Sequence, residues 1–418
     1  MVGRLAIVGI GLGRVRAAAV DPARGHPTAL AAGDFDGDGR ADALVFDRVG
    51  GAAALLPGDG HGSFGAAVSV ALAKIPAMVV ARDMNLDGTL DLVAGYQQSA
   101  EIDVFMGDGH GAFLAPVVSH ASEAFQNMSV DDVDGDGIPD LVAGFGYQGA
   151  GVLLGNGDAS LSQVSQCAFQ SVAVTRIRLA DLDGNGLPEI VASHDHAAGS
   201  VQVLANVGGG HFRNPKMWGS IATDGAIEVA DFDGNGRADV AVVNSDDKLI
   251  WFKGAGKTGA PAASGVEPFA MMLELHAIDL DGDGHPDLLG FDSPAGASIH
   301  LAFGSGAFQF QPVQSFLAGP QLSGCFVADL DGDGLDEIVL ASSATQSLTI
   351  LQPPRGRASP RPPTGRARTP AWGARRSAPP PRRKLGMGAS ASRSRARRRR
   401  RRGPPRDRHS RFRRLRSQ

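Results

Sequence analysis

The feature that most constrains this chain is a nine-residue acidic pattern, Asp34-Phe35-Asp36-Gly37-Asp38-Gly39-Arg40-Ala41-Asp42, that returns six more times. The later copies begin at Asp83, Asp132, Asp181, Asp231, Asp279 and Asp329, at steps of 49, 49, 49, 50, 48 and 50 residues. A period this regular describes one structural unit written seven times, each copy needing its neighbours to bury an apolar face. It directs 418 residues toward a single closed array rather than a row of separate globules.

Each unit opens with a short apolar run that leads into the acidic loop, Thr28 to Ala32 in the first copy and Ala77 to Ala81 in the second. A second run follows the loop, as in Ala43-Leu44-Val45-Phe46 or Leu141-Val142-Ala143. Runs of this length and composition are strands covered on both faces. A third strand, such as Ile102 to Phe105, a glycine turn, such as Gly107-Asp108-Gly109, and a looser fourth strand, such as Ala66 to Val70, complete the unit. Four short antiparallel strands repeated seven times predict an all-β fold, a seven-bladed β-propeller of four-stranded blades spanning residues 1–352. Radial closure also shields sheet edges from pairing with other chains.

The ends depart from the repeat. Counting back from Asp34 places Gly9 at the glycine turn, so residues 4–20 are expected to be the closing strands of a partial blade. Arg14 and Arg16 fall where a signal-peptide cleavage region would be small and neutral, so no signal peptide is evident. An N-terminally truncated reading frame accounts for the mid-blade start. Leu5 to Val8 and Leu348 to Leu351 both have the pattern of a third strand, and one blade needs only one. From Pro353 the repeat stops, and Arg, Pro, Ala, Gly and Ser take over. This segment, 353–418, is expected to be a disordered Arg/Pro-rich basic tail, and out-of-frame translation accounts for its composition equally well. It holds 24 Lys and Arg against the single acid Asp407, which leaves 16 basic and 43 acidic residues in 1–352. The overall net charge of -4 therefore conceals two oppositely charged parts. No apolar run approaches the ~18 residues of a membrane helix. Cys167 and Cys325 are too few for a disulfide framework and are expected to be buried thiols.

The acidic loops carry the chemistry. A hard dication takes six to eight oxygens, and a tight loop supplies them when alternate side chains turn inward. Positions 1, 3 and 5 offer side-chain oxygens, position 7 its backbone carbonyl and position 9 an acid, with Gly at position 6 allowing the bend. The seven candidate sets are Asp34, Asp36, Asp38, Arg40 and Asp42; Asp83, Asn85, Asp87, Thr89 and Asp91; Asp132, Asp134, Asp136, Ile138 and Asp140; Asp181, Asp183, Asn185, Leu187 and Glu189; Asp231, Asp233, Asn235, Arg237 and Asp239; Asp279, Asp281, Asp283, His285 and Asp287; and Asp329, Asp331, Asp333, Leu335 and Glu337. Up to seven Ca2+ ions, one per blade, are the expected cofactor. Asp-Gly clusters also make plain turns, but seven copies in register, holding 25 carboxylates at positions 1, 3, 5 and 9, exceed what turns require. Without cations, carboxylates so crowded repel one another or take up protons. Position 2 is apolar throughout and is expected to tuck under the blade.

Gly33 to Asp42, followed by an apolar strand and the turn Gly58 to Phe64, resembles the FG-GAP/VCBS repeat family, whose relatives include the calcium-binding propellers of integrin alpha subunits. The resemblance covers roughly residues 4–352. It implies calcium in the loop joining the first two strands of each blade, and a role in extracellular adhesion or recognition. A protein or glycan ligand is expected at the opposite face, whose hairpins vary most, with no specific nucleic acid, no membrane span and a monomeric state. An extracellular or cell-surface location follows from loops suited to millimolar calcium. His194 and His196 are expected to be exposed loop residues. Trp218, Trp251, Tyr96 and Tyr147 do not recur at one phase of the repeat, which weighs against one sugar site per blade. The acids outside the loops show no carboxylate pair of the kind glycosidases use, so no enzymatic activity is expected. A carbohydrate-binding propeller, or the scaffold of a polysaccharide-acting enzyme, is the alternative.

Overall fold

The computed structural model describes residues 14–18, 27–169, 173–195, 200–220, 223–244, 248–254, 263–268, 272–292 and 298–352. Leu5 to Val8, the Gly9 turn, His196 and the segment 353–418 lie outside them.

Six blades use consecutive strands. They are Pro27–Gly33, Asp42–Asp47, Ala52–Leu56 and Val68–Val70 in blade 1, and Met78–Arg82, Asp91–Gly95, Glu101–Phe105 and Val117–His120 in blade 2. Blade 3 is Asn127–Asp131, Asp140–Gly144, Ala150–Gly155 and Leu161–Cys167. Blade 4 is Ala173–Ala180, Glu189–Asp195, Ser200–Leu204 and Lys216–Ser220, with its glycine turn formed as a small hairpin, Asn206–Gly208 and His211–Phe212. Blade 5 is Thr223–Ala230, Asp239–Asn244, Lys248–Phe252 and Ala263–Pro268, and blade 6 is Met272–Ile278, Asp287–Asp292, Ser298–Ala302 and Gln314–Leu317. Blade 7 takes Leu322–Ala328, Glu337–Ser342 and Ser347–Gln352 from the C-terminal end of the repeat and its outermost strand, Arg14–Ala18, from the N-terminal end. Leu340 pairs with Thr349, while Arg16 pairs antiparallel with Ile350 on the other side of that strand. The first and last parts of the chain thus share one sheet, which closes the ring.

The core lies between blades rather than within them, because a flat four-stranded sheet has two apolar faces and must cover both. Seven apolar clusters fill the seven interfaces. One joins blades 1 and 2 around Phe46, Leu55 and Leu92; others join 2 and 3, 3 and 4, 4 and 5, 5 and 6, and 6 and 7. The seventh, around Leu56, Phe326 and Ile350, joins blade 7 back to blade 1. The second strands are buried along their whole length in blades 1, 2, 3, 5 and 7, which explains why they appear in the sequence as unbroken apolar runs. Among the described residues no helix is long and apolar enough to cross a membrane.

Candidate metal centre

Every acidic loop joins the first strand of its blade to the second, so all seven lie at one end of the propeller. Position 1 of each loop is a hub for backbone amides: Asp34 accepts hydrogen bonds from Gly37 N at 2.8 Å and Gly39 N at 3.0 Å, and Asp132 accepts from Gly135 N and Gly137 N at 2.7 and 2.8 Å. Position 3 accepts from the amide of position 5, and position 5 from that of position 7, as Asp36 does from Asp38 and Asp38 from Arg40. The chain thereby curls around its own oxygens. Exposure is graded in the same way in every loop: position 9 is buried, positions 1 and 3 are half-buried and position 5 is open to solvent.

Position 9 has a role that spacing did not reveal. Asp42 is wholly buried, and one carboxylate oxygen accepts from Phe35 N at 2.9 Å while the other accepts from Gly58 N at 2.8 Å. The same two-sided latch recurs at Asp91, Asp140, Asp239 and Asp287. It ties the loop to the glycine that ends the third strand. In blades 4 and 7 the acid is Glu, and among the described residues only the first half of the latch is made, by Leu182 N and Leu330 N. Glu189 Oε1 is buried and, although the Asn206 amide approaches it, no hydrogen bond of good geometry reaches it.

Position 2 joins the loops to the core. Phe35, Met84, Val133, Leu182, Phe232, Leu280 and Leu330 are all at most 3 % exposed, and each enters the cluster shared with the next blade. Their carbonyls face the neighbour too. Gly111 N of blade 2 donates to Phe35 O, Phe308 N of blade 6 to Phe232 O, and Gly62 N of blade 1 to Leu330 O of blade 7. In blade 4 the side chain of Asn206 donates instead, to Val133 O at 2.8 Å and Pro188 O at 2.9 Å.

The loop groups fit a hard dication. Ligand oxygens of Asp34, Asp36 and Asp42, of Asp132, Asp134 and Asp136, of Asp181, Asp183 and Glu189, and of Asp231, Asp233 and Asp239 lie in each case within 4.8 Å of one another. On protein groups alone, burial, reinforced by the acids at positions 1 and 3, pushes Asp140, Glu189 and Asp287 up to about 7 and Glu337 up to about 8. Burial raises Asp42 and Asp239 to about 6. Stacked carboxylates of this kind want a counter-cation, and oxygen donors alone select a hard one. Positions 1, 3, 5 and 9 with the position-7 carbonyl would hold it, and it would supply charge neutralisation and loop rigidity. Blade 5 differs, since the Lys253 ammonium sits on Asp233.

At the opposite end lie the hairpins between second and third strands. Arg48 donates to Gln97 at 2.5 Å across blades 1 and 2, Lys74 lies 5.3 Å over the Tyr96 ring, and Tyr147 is 72 % exposed. His194 is not an exposed loop residue: it belongs to the second strand of blade 4, is fully buried, and packs edge-on against Phe169 at 5.3 Å. The strand simply runs further than its apolar residues suggested. Trp218 and Trp251 are core residues, the latter stacked on Phe310 at 4.7 Å.

Among solved structures, the chain is similar to an Agrocybe aegerita lectin that recognises non-reducing terminal N-acetylglucosamine, with 18 % identity and a TM-score of 0.55 over 76 % of this chain and 86 % of that one. It is similar to BBS1N in complex with ARL6DN, with 12 % identity and a TM-score of 0.57 over 84 % and 98 % of the two chains. Sqt1 of Saccharomyces cerevisiae matches with 10 % identity and a TM-score of 0.52 over 81 % and 98 %. At such identities these likenesses show the fold alone. No curated protein sequence matches the chain. The FG-GAP-like repeat matches six times in overlapping spans, 34–94, 83–143, 132–192, 181–242, 231–290 and 279–340, each running from one acidic loop through the second strand of the next blade. With its acidic loops, glycine turns and seven blades in that phase, this chain belongs to the FG-GAP-like repeat family.

Proposed function

We propose that the chain is a calcium-stabilised, non-catalytic recognition propeller of the extracellular space or cell surface, which binds a protein partner through the face opposite its acidic loops. The observation that carries this reading is the contrast between the two ends. One end repeats the same acidic loop, with the same grading of exposure, seven times, whereas the hairpins at the other end differ in sequence from blade to blade and present Arg48, Gln97, Lys74 and Tyr147. Loops on a rigid scaffold are where recognition is placed, and a ring of uniform cation loops is suited to holding that scaffold rigid. Millimolar calcium, which such loops suit, is found outside cells.

A glycan ligand is the second reading, favoured by the lectin among the structural neighbours. The burial of Trp218 and Trp251 removes two of the aromatic platforms that sugars would stack on. Binding of the fluorescently labelled, calcium-loaded protein to intact cells separates the readings. The expected result is binding that chelator abolishes, protease treatment of the cells removes, and free sugars or glycosidases leave intact. Sensitivity to sugars or glycosidases would move the assignment to a lectin, and calcium-independent binding would overturn the metal's part in it.

A further inference from the structure

The first strands of neighbouring blades run side by side around the axis, so residues there face both a neighbour and the channel. Counted back from the loop, the fourth residue is aliphatic or Met in six blades: Leu30, Val79, Met128, Ile177, Ile227 and Leu275. Each holds the same register against its second strand, Leu275 opposite Gly290 and Ile227 opposite Val242. In blade 7 the residue at this position, opposite Leu340, is Cys325. One position nearer the loop, blade 6 alone carries a histidine, His276, and two residues before it on the same strand stands Glu274. These residues meet at one interface: a carboxylate oxygen of Glu274, a ring nitrogen of His276 and Cys325 Sγ all lie within 4.8 Å of one another. Glu274 also reaches His276 Nε2 at 3.5 Å.

The donor set differs in kind from that of the loops. Thiolate, imidazole and carboxylate together suit a borderline-soft dication, and tetrahedral zinc sets such ligands about 3.3–3.8 Å apart, a small contraction of side chains from the arrangement here. The histidine and cysteine are buried, while Glu274 keeps a third of its side chain, 33 %, exposed, so solvent reaches the cluster from the glutamate's side. Nearby, Arg178 is matched by Glu228 at 3.4 Å, and Arg176 lies close enough to act on Glu274. We propose that Glu274, His276 and Cys325 form a metal site of the zinc class between blades 6 and 7, separate from the seven loops. The competing role is a fixed ion pair of Glu274 with Arg176, with no metal.

Cobalt(II) reports on this choice, because only a thiolate ligand gives the near-ultraviolet sulfur-to-cobalt charge-transfer band, and the oxygen-donor loops cannot. The full chain, held in excess Ca2+ to fill the loops, is titrated with Co2+. One equivalent should develop the band, and Zn2+ should abolish it. Cys325→Ser should lose the band completely, His276→Gln should weaken Co2+ affinity at least tenfold, and Cys167→Ser should change neither. No band in the wild-type chain, or a band that survives in Cys325→Ser, overturns the proposal. If Cys325→Ser does not fold, the wild-type band and its response to His276→Gln decide the matter alone.

Discussion

At the scale of single residues, the loops show how closely the spacing of their acids and the backbone conformation are bound together. Position 4 has a positive φ in every blade, and six blades meet this with Gly, as at Gly37 with φ +78°. Blade 2 has Leu86 there, with φ +62° and half its surface exposed. A non-glycine residue in this region costs about 1 kcal/mol or more, so Leu86→Gly is expected to stabilise the protein by about 1 kcal/mol, read from the urea midpoint at unchanged slope. The Asp140 latch argues the opposite way. Asp140→Ala strands the buried amide of Val133 and the half-buried amide of Gly155, a buried one costing about 1–3 kcal/mol, and denaturant titration should show a loss of about 2–3 kcal/mol. Cys167 gives a pH-dependent test. Burial pushes its thiol up to about 11, so the reactive thiolate is scarce at neutral pH and appears only as pH rises toward that value. Native-state alkylation at pH 8 should leave Cys167 unmodified, and mass spectrometry of the peptides checks it. At this scale the sequence was largely legible: the bend of each loop, the burial of the apolar position 2 and the burial of both cysteines follow from spacing and residue type. The latch was not, since it joins Asp42 to Gly58, and nothing local marks that glycine as its partner.

At the scale of elements, the loops and glycine turns stitch each blade to the next. In blade 4 Asn206 stands where the turn's first glycine is in other blades, and it makes two side-chain hydrogen bonds to the carbonyls of Val133 and Pro188. Asn206→Ala leaves both buried acceptors without this donor and is expected to cost about 2 kcal/mol. Hydrogen exchange should localise the loosening to blades 3 and 4, and a uniform change across all blades would contradict a local stitch. Strand positions were legible because a seven-fold repeat averages away the ambiguity of any single short apolar run. The length of the second strand in blade 4 was not, and His194 was misplaced for that reason. A polar residue at a strand end is buried or exposed according to what packs on it, and here Phe169, outside the repeat motif, provides the cover.

At the scale of the whole molecule, closure of the ring makes stability collective. Each loop feeds an interblade cluster through position 2, so a cation that orders the loops supports every interface. Removing Ca2+ with a chelator is expected to lower the melting temperature markedly, since binding at a hundredfold excess over Kd contributes about 2.7 kcal/mol per site. An unchanged midpoint in a thermal melt would argue that the loops hold their shape without metal.

What the amino-acid sequence determined by itself was everything with a local origin: the period, the four strands of each blade, the bend and the oxygens of each loop. These depend on residues within about ten positions of one another, where backbone hydrogen bonding and ligand spacing leave a pattern that repetition makes plain. Tertiary structure alone decided which residues about one repeat apart or more would meet. It set position 2 into the next blade's core and gathered Glu274, His276 and Cys325 at one interface. The physical reason is that radial packing matches whole sheet faces rather than neighbouring residues, so its outcome is fixed only when the ring closes.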